Sequence, residues 1–308
     1  MNKPMHRSWL AAAALALAAA APLAARAAEP LCPKASASAT APSPATLEGA
    51  ETYVYKTVAG QPLRLYLRRP PPGTAGPAQR PAIVLFTGGG WMFLNVASPT
   101  PQAEYLAHRG AISVVVDYRV YCRDGVSIKE EDQDAKAAIA WLRAHARQLG
   151  IDPARIAALG GSSGGQVALS TAMFKQLDEP GASRVSSRPN LLVLFFPCVD
   201  ETTEIELQYS AKAIQGYGAE LSPALHVAPG LPPMFVGQGT DDPLYAENKA
   251  YCAKVIAAGD SCTLVEYPGA AHGFFRQGNQ WYEAGLRDMD AFLTRHGYLP
   301  AGPASPAG

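Results

Sequence analysis

The chain has 308 residues, 48% of them hydrophobic and 17% charged, which suits one large globular domain or two small ones. Lys plus Arg and Asp plus Glu number 26 each, so no bulk charge draws nucleic acid or an anionic surface. There is no basic tract with interleaved aromatics, which excludes a nucleic-acid-binding reading.

Lys3, His6 and Arg7 precede an apolar run from Trp9 to Leu23, followed by Ala25-Arg26-Ala27. This is the pattern of a secretory signal peptide over 1–27, cleaved after Ala27 or Ala28. The run is short for a membrane span of about 20 residues, so no stable membrane anchor is expected. Residues 28–50 are rich in Ala, Ser, Pro and Thr and read as a disordered lead-in. Residues 51–298 read as the folded domain and 299–308 as a flexible tail. The expected location is secreted or periplasmic.

Within 51–298, "TYVYKTV" (52–58) and "LRLYLRR" (63–69) alternate polar and apolar around Gly60-Gln61-Pro62 and predict an antiparallel hairpin. The runs "AIVLF" (82–86), "ISVVVDY" (112–118), "RIAAL" (155–159), "NLLVLFF" (190–196), "PMFVG" (233–237) and "CTLVEY" (262–267) predict buried parallel strands. Helical patterns over 101–109, 132–148, 164–177, 244–258 and 280–296 separate them. Strand alternating with helix predicts an α/β fold with a mainly parallel sheet and right-handed crossovers. Residues 199–231 read as a polar, irregular insertion that overhangs one end of the sheet.

All five cysteines lie beyond the leader, and export permits disulfides. Cys252, in a helix-like run, and Cys262, at the start of a strand-like run, predict a bridge contributing about 2–3 kcal/mol. Cys122 and Cys198 both follow strand-like runs and are an open second candidate pair. No His/Cys cluster has zinc spacing, so no metal site is expected.

The stretch "LGGSSGGQVAL" (159–169) sits between a predicted strand and a predicted helix, the context of a nucleophile elbow. It fits Gly-x-Ser-x-Gly in two registers, with Ser162 or Ser163 as nucleophile. Glycine-rich strand–helix turns also cradle phosphate, but no Gly-Lys-Ser/Thr follows, which excludes a P-loop. A serine nucleophile needs a base and an orienting carboxylate, in this fold in the chain order Ser, Asp or Glu, His, on loops after later strands. His272, in "YPGAAHGFF", follows the last predicted strand. His108 and His145 precede the elbow, His226 lies in the insertion and His296 ends the last helix. "GQGTDDPLY" offers Asp241 and Asp242, one of which can cap the helix while the other orients the histidine. "TGGGW" (87–91) follows the first parallel strand, and its glycines let backbone N–H groups approach a substrate oxygen.

With these residues in place, the chain over about 50–297 resembles the α/β-hydrolase-fold esterases of the hormone-sensitive-lipase type and the nearby feruloyl- and acetyl-xylan-esterase-like group. "TGGGW" is similar to the family's His-Gly-Gly-Gly-Trp, and "VVVDYRV" to its strand ending in Tyr-Arg. "GIDPARIAALGGSSGGQVAL" resembles its segment running into Gly-x-Ser-Ala-Gly-Gly, and "GTDDPL" and "GAAHGFF" its acid and histidine loops. The resemblance implies an α/β-hydrolase fold with a short insertion over the site. It implies Ser162 as nucleophile, Asp242 as acid, His272 as base, and Gly89, Gly90 and Ser163 as oxyanion donors. The implied activity is exported carboxylic-ester hydrolysis, on short-chain or carbohydrate-linked esters, with no cofactor.

The chain departs from the family pattern at Thr87, which replaces the histidine that braces the glycine loop and predicts a looser loop. No helical pattern precedes the first strands, which predicts an open site covered only by 199–231. Cys122 and Cys198 fall on loops near the site with no fixed family role. Rival readings are a serine peptidase of the same fold, which usually carries a large additional domain, and a binding protein that keeps only the fold. Asp117 and Arg119 read as a buried structural pair, and Glu130, Glu131, Asp132 and Asp134 as a helix N-terminus favoured by the helix dipole. Trp91 reads equally as pocket rim or core. The natural ester and the oligomeric state are not legible.

Overall fold

A computed structural model describes residue 32, residues 41–178 and residues 185–302. The signal peptide predicted over 1–27 and most of the tail predicted over 299–308 lie outside the described residues. Runs of Val, Ile, Leu and Ala that can be buried on both faces pair into one sheet. In chain order the strands are β1 (Glu51–Val58), β2 (Gln61–Arg68), β3 (Arg80–Phe86), β4 (Ile112–Val116), β5 (Ile151–Gly161), β6 (Leu191–Phe195), β7 (Met234–Gly239) and β8 (Cys262–Tyr267). Their order across the sheet is β1-β2-β4-β3-β5-β6-β7-β8. β1 and β2 form the predicted antiparallel hairpin, β2 also runs antiparallel to β4, and every other pairing is parallel. This is the α/β-hydrolase fold.

Helices Thr100–His108, Ile128–Ala144, Ser163–Met173, Tyr245–Ala257 and Tyr282–Arg295 cover the sheet. The pattern predicted one helix over 132–148. It starts earlier, because Ser127 and Glu130 form a capping box, and it is followed by a separate turn, Ala146–Leu149. The insertion is more ordered than its polar composition predicts: it folds into helices Glu204–Ile214 and Gly218–Leu221 and a 3₁₀ turn, Pro223–Leu225.

Three expectations about packing are corrected. Asp117 and Arg119 are not partners: Asp117 pairs with Arg123 at 2.9 Å and Arg119 with Asp134 at 2.7 Å. Of the acidic run, Glu130 and Glu131 lie in the helix's first turn as expected, Glu130 in the capping box, whereas Asp132 and Asp134 lie beyond the first turn, and Glu131, Asp132 and Asp134 are all buried. The expected disorder over 28–50 does not extend to its described residues. There Ser43 donates to Asp117 Oδ1 (2.8 Å), Arg68 to the Glu48 carbonyl (2.5 Å) and Tyr66 to the Pro44 carbonyl (2.5 Å).

Cys252 and Cys262 form the predicted disulfide, with Cα atoms 5.5 Å apart. The candidate pairing of Cys122 with Cys198 is replaced by Cys32–Cys122, which closes a loop 90 residues long, and Cys198 is left as a buried thiol. Cys198 follows β6 in the interior, while Cys122 sits in the turn that receives the N-terminal segment. Among the described residues no helix is long and apolar enough to cross a membrane. Thiol titration of the oxidised protein in denaturant is expected to give one thiol per chain. Mass mapping without reduction should recover Cys32 linked to Cys122 and Cys252 linked to Cys262. A second titratable thiol would refute one of the bridges.

Candidate active site

β5 runs straight into helix Ser163–Met173 with Ser162 alone at the corner. Ser162 has φ +56° and ψ −132°, a conformation that costs an L-residue about 1–3 kcal/mol. The corner closes only because strand and helix can touch. A Cβ on Gly160 would lie 2.0 Å from the Gly164 carbonyl, and one on Gly164 would lie 2.3 Å from the Phe86 carbonyl. Backbone bonds hold the strained residue on both sides: Ser162 N–H donates to the Phe195 carbonyl (3.0 Å), and the Gly165 and Cys198 N–H groups donate to the Ser162 carbonyl (2.8 and 3.1 Å). The hydroxyl is thereby lifted beyond the carboxyl ends of the parallel strands.

His272, on the loop after β8, comes within 2.9 Å of Ser162 Oγ through Nε2. Its Nδ1 lies 2.9 Å from Asp242 Oδ2, on the loop after β7. Asp242 does both jobs that the sequence divided between two aspartates: its Oδ1 accepts the Leu244 N–H (2.9 Å) while Oδ2 faces the histidine. The Asp242 side chain is buried, and Asp241 is exposed and turned to Thr240. The Phe196 ring meets the His272 ring edge-on at 4.9 Å. Asn248 ties the neighbouring backbone together, donating to the Pro197 carbonyl (2.9 Å) and to Gln238 (2.8 Å). His108, His145 and His226 instead pair with backbone carbonyls, and His296 packs on Phe292.

The glycine loop after β3 is clamped rather than loose. Tyr118 donates its hydroxyl to the Thr87 carbonyl. Trp91 belongs to the core, 1% exposed, and its indole N–H donates to Gln166 Oε1 at 3.0 Å. Gln166 in turn donates to Asp132 Oδ2 (3.1 Å). Gly89 N–H donates to Ser163 Oγ at 3.0 Å, a contact that sequence reasoning missed because it assigned Ser163 only a backbone role. The signal was a hydroxyl standing where the family pattern has alanine. Gly88 of this loop lies against the elbow, where a Cβ on it would be 2.5 Å from the Gly161 carbonyl and 3.2 Å from Ser162 Cβ, and the first N–H groups of helix Ser163–Met173 have no intrahelical acceptor.

Cys198, expected on a loop near the site, puts its buried thiol 4.0 Å from Ser162 Oγ, and a further group, Glu206, escaped the sequence. Glu206 reaches the thiol from the insertion, and burial raises both groups above their ordinary pKa values. Among the described residues no cluster of His, Cys, Asp or Glu has the arrangement of a metal site.

An elbow serine after β5, an acid after β7 and a histidine after β8 of such a sheet define a hydrolase of the α/β class. The chain belongs to the α/β-hydrolase fold family, whose model matches residues 83–276. It sits there among carboxylic-ester hydrolases. Esterase 2 of Thermogutta terrifontis is 38% identical, covers 83% of this chain and 97% of its own, and superposes with a TM-score of 0.76. That esterase has been solved phosphorylated by paraoxon, with propionate bound and with butyrate bound. An ethyl acetate hydrolase of Pseudomonas putida is 30% identical over 76% of this chain and 78% of its own. A carboxylesterase of Mycobacterium tuberculosis is 29% identical over 63% of this chain, and the match spans 66% of that protein's length.

The brace behind Trp91 generates a pH dependence. Burial pushes Asp132 up to about 8, against the pull of the Gln166 and Ser170 hydrogen bonds and the Lys136 charge. Unfolded, the same carboxyl titrates near the ordinary value of about 4. Between those values the folded state binds the extra proton, so stability falls as pH rises through the window. The fall in Tm from about pH 5 to about pH 8 is therefore expected to be smaller in Asp132→Asn than in the wild type. Equal falls in both would remove Asp132 as its source.

Proposed function

We propose that the protein hydrolyses short-chain or carbohydrate-linked carboxylic esters through an acyl-enzyme on Ser162. The observation that carries this reading is the unbroken line of two 2.9 Å contacts from Ser162 Oγ through His272 to Asp242. His272 Nε2 takes the hydroxyl proton as Oγ attacks the ester carbonyl. Asp242, buried and held by the Leu244 N–H, fixes the ring orientation and supports the imidazolium that forms. The tetrahedral oxygen is received by the Gly90 and Ser163 N–H groups, joined by Gly89 when the Ser163 hydroxyl releases its amide. Losing one such donor typically costs about 3 kcal/mol of transition-state stabilisation. The C–O bond to the alcohol then breaks, with the proton passing from His272 to the leaving oxygen. Water repeats the cycle on the acyl-enzyme and frees the acid. None of these steps calls for a cofactor.

A short acyl chain fits a site roofed by the compact insertion, and the related Thermogutta esterase has been solved with propionate and butyrate. The two disulfides suit a protein exported to an oxidising compartment, secreted or periplasmic.

A panel of p-nitrophenyl esters tests the reading. Activity is expected to be highest on acetyl or butyryl esters and to fall steeply toward dodecanoyl. Ser162→Ala should lose nearly all activity, and Asp242→Asn should lower kcat about 10⁴-fold. Ser163→Ala should stay within about tenfold of wild type, because a backbone N–H survives any substitution except proline. Mass mapping after a fluorophosphonate probe should place the label on Ser162. Label on Ser163, or an active Ser162→Ala enzyme, would move the nucleophile by one residue and put Gly164 in the oxyanion role.

A further inference from the structure

Helix Glu204–Ile214, in the insertion, faces the reverse of the usual way. Its covered side carries Glu206, Ser210, Ala213 and Ile214. Ile205, Leu207 and Tyr209 are exposed, Tyr209 to 68%. A surface helix normally turns its apolar stripe inward. Here the inward side carries a carboxyl and a hydroxyl instead, the carboxyl toward the Cys198 thiol beside the nucleophile and the hydroxyl toward Gly90. Glu206 interacts with the Cys198 thiol, whose Sγ is 4.0 Å from Ser162 Oγ, and electrostatically with His272 and Asp242. One turn further on, Ser210 Oγ stands 3.1 Å from where a Cβ on Gly90 would lie. Glu206 is only 6% exposed, yet its Oε1 has no hydrogen-bond partner. The mechanism above uses neither Glu206 nor Cys198.

A buried carboxyl oxygen without a partner is costly, and such a group beside a nucleophile is completed when a ligand supplies the missing hydrogen bond. We infer that Glu206 is a specificity-determining residue, whose carboxyl receives a hydroxyl group of the substrate near the scissile ester, on the acyl chain or on the leaving alcohol. The inference rests on the ester-hydrolase reading of the same site. A hydroxyl suits this surface better than an ammonium group: burial disfavours the charged carboxylate, and the side chains beside it, Ser210 and the Cys198 thiol, are hydrogen-bonding groups without formal charge. A plain aliphatic ester would leave Glu206 desolvated and unpaired, and sites built to bind a hydroxyl reject analogues that lack it.

Matched esters test this directly: p-nitrophenyl butyrate against p-nitrophenyl 3-hydroxybutyrate, and ethyl butyrate against glycerol monobutyrate. The wild type is expected to favour the hydroxylated member of at least one pair by more than about tenfold in kcat/KM. Glu206→Leu should cut that ratio about tenfold, whatever happens to the absolute rates. Glu206→Gln keeps the length, a donor and an acceptor, and should hold most of the ratio. Glu206→Asp, which withdraws the carboxyl by one methylene, should lower it and serves if the leucine variant does not fold. No preference in the wild type, an unchanged ratio in Glu206→Leu, or a larger loss in Glu206→Gln than in Glu206→Asp would overturn the inference. So would a wild-type preference for p-nitrophenyl 4-aminobutyrate over the hydroxylated ester, which would assign Glu206 to a cation. Hydrolysis of p-nitrophenyl butyrate reports on the ester reading by itself, and no hydrolysis of any ester in the set overturns both.

Discussion

Strand β5 and helix Ser163–Met173 meet with no room for a single Cβ, and the arrangement of the site follows from that contact. The Gly164 carbonyl occupies the side-chain space of Gly160, and the backbone from Phe86 to Gly88, at the end of β3, occupies that of Gly164. One close approach therefore fixes three things together: the unfavourable dihedrals of Ser162, the start of the helix, and the position of the glycine loop that follows β3. The strain at Ser162 is tolerated because β6 accepts its amide hydrogen bond and the loop after β6 donates back to its carbonyl. Neighbouring strands over-determine the corner, so a residue that would relax elsewhere cannot relax here.

The second tier of the site is polar and buried. Trp91, Gln166 and Asp132 form a chain running from the glycine loop through helix Ser163–Met173 to helix Ile128–Ala144. The Ser163 hydroxyl adds a shorter tie from the same helix to Gly89. These bonds do what the family's histidine is expected to do where this chain has threonine. The loop is braced from its far end, and the Thr87 hydroxyl itself is buried without a partner. The expectation of a looser loop failed because it considered one position, whereas the bracing is spread over residues distant in sequence.

The parts legible in the sequence are those with a strong local cause. Parallel strands buried on both faces need continuous apolar runs, so the five central ones were visible, and the hairpin showed its alternation; β8, expected to be buried, is a strand but lies at the sheet edge with most of its residues half-exposed. The order of the loops carrying Ser162, Asp242 and His272 was visible because the fold fixes it, and the structure sets those three side chains in hydrogen-bonding reach. The parts that failed depend on long-range geometry. Nothing near Cys122 says that its partner is Cys32, 90 positions away in a segment without periodicity. Asp117 and Arg119 looked like a pair by proximity, but their partners, Arg123 and Asp134, come from the following turn and helix. Asp241 and Asp242 could not be separated by composition. What separates them is that one carboxyl points inward and the other does not.

The insertion was misread for a more instructive reason. Helix prediction looks for an apolar stripe that pays for burial, and Glu204–Ile214 has its most prominent apolar residues, Ile205, Leu207 and Tyr209, on the exposed side. Only its last turn, through Ala213 and Ile214, anchors in the core. The rest is held by capping at Thr203, whose hydroxyl accepts the Glu206 N–H, and by the geometry of the surrounding loop. A helix so weakly tied by hydrophobic burial draws little stability from its own packing. The polar side chains it turns inward therefore cannot be explained as a device for stability. They face the Cys198 thiol beside the strained serine and the glycine loop at Gly90, where a buried polar surface can meet a substrate rather than the core.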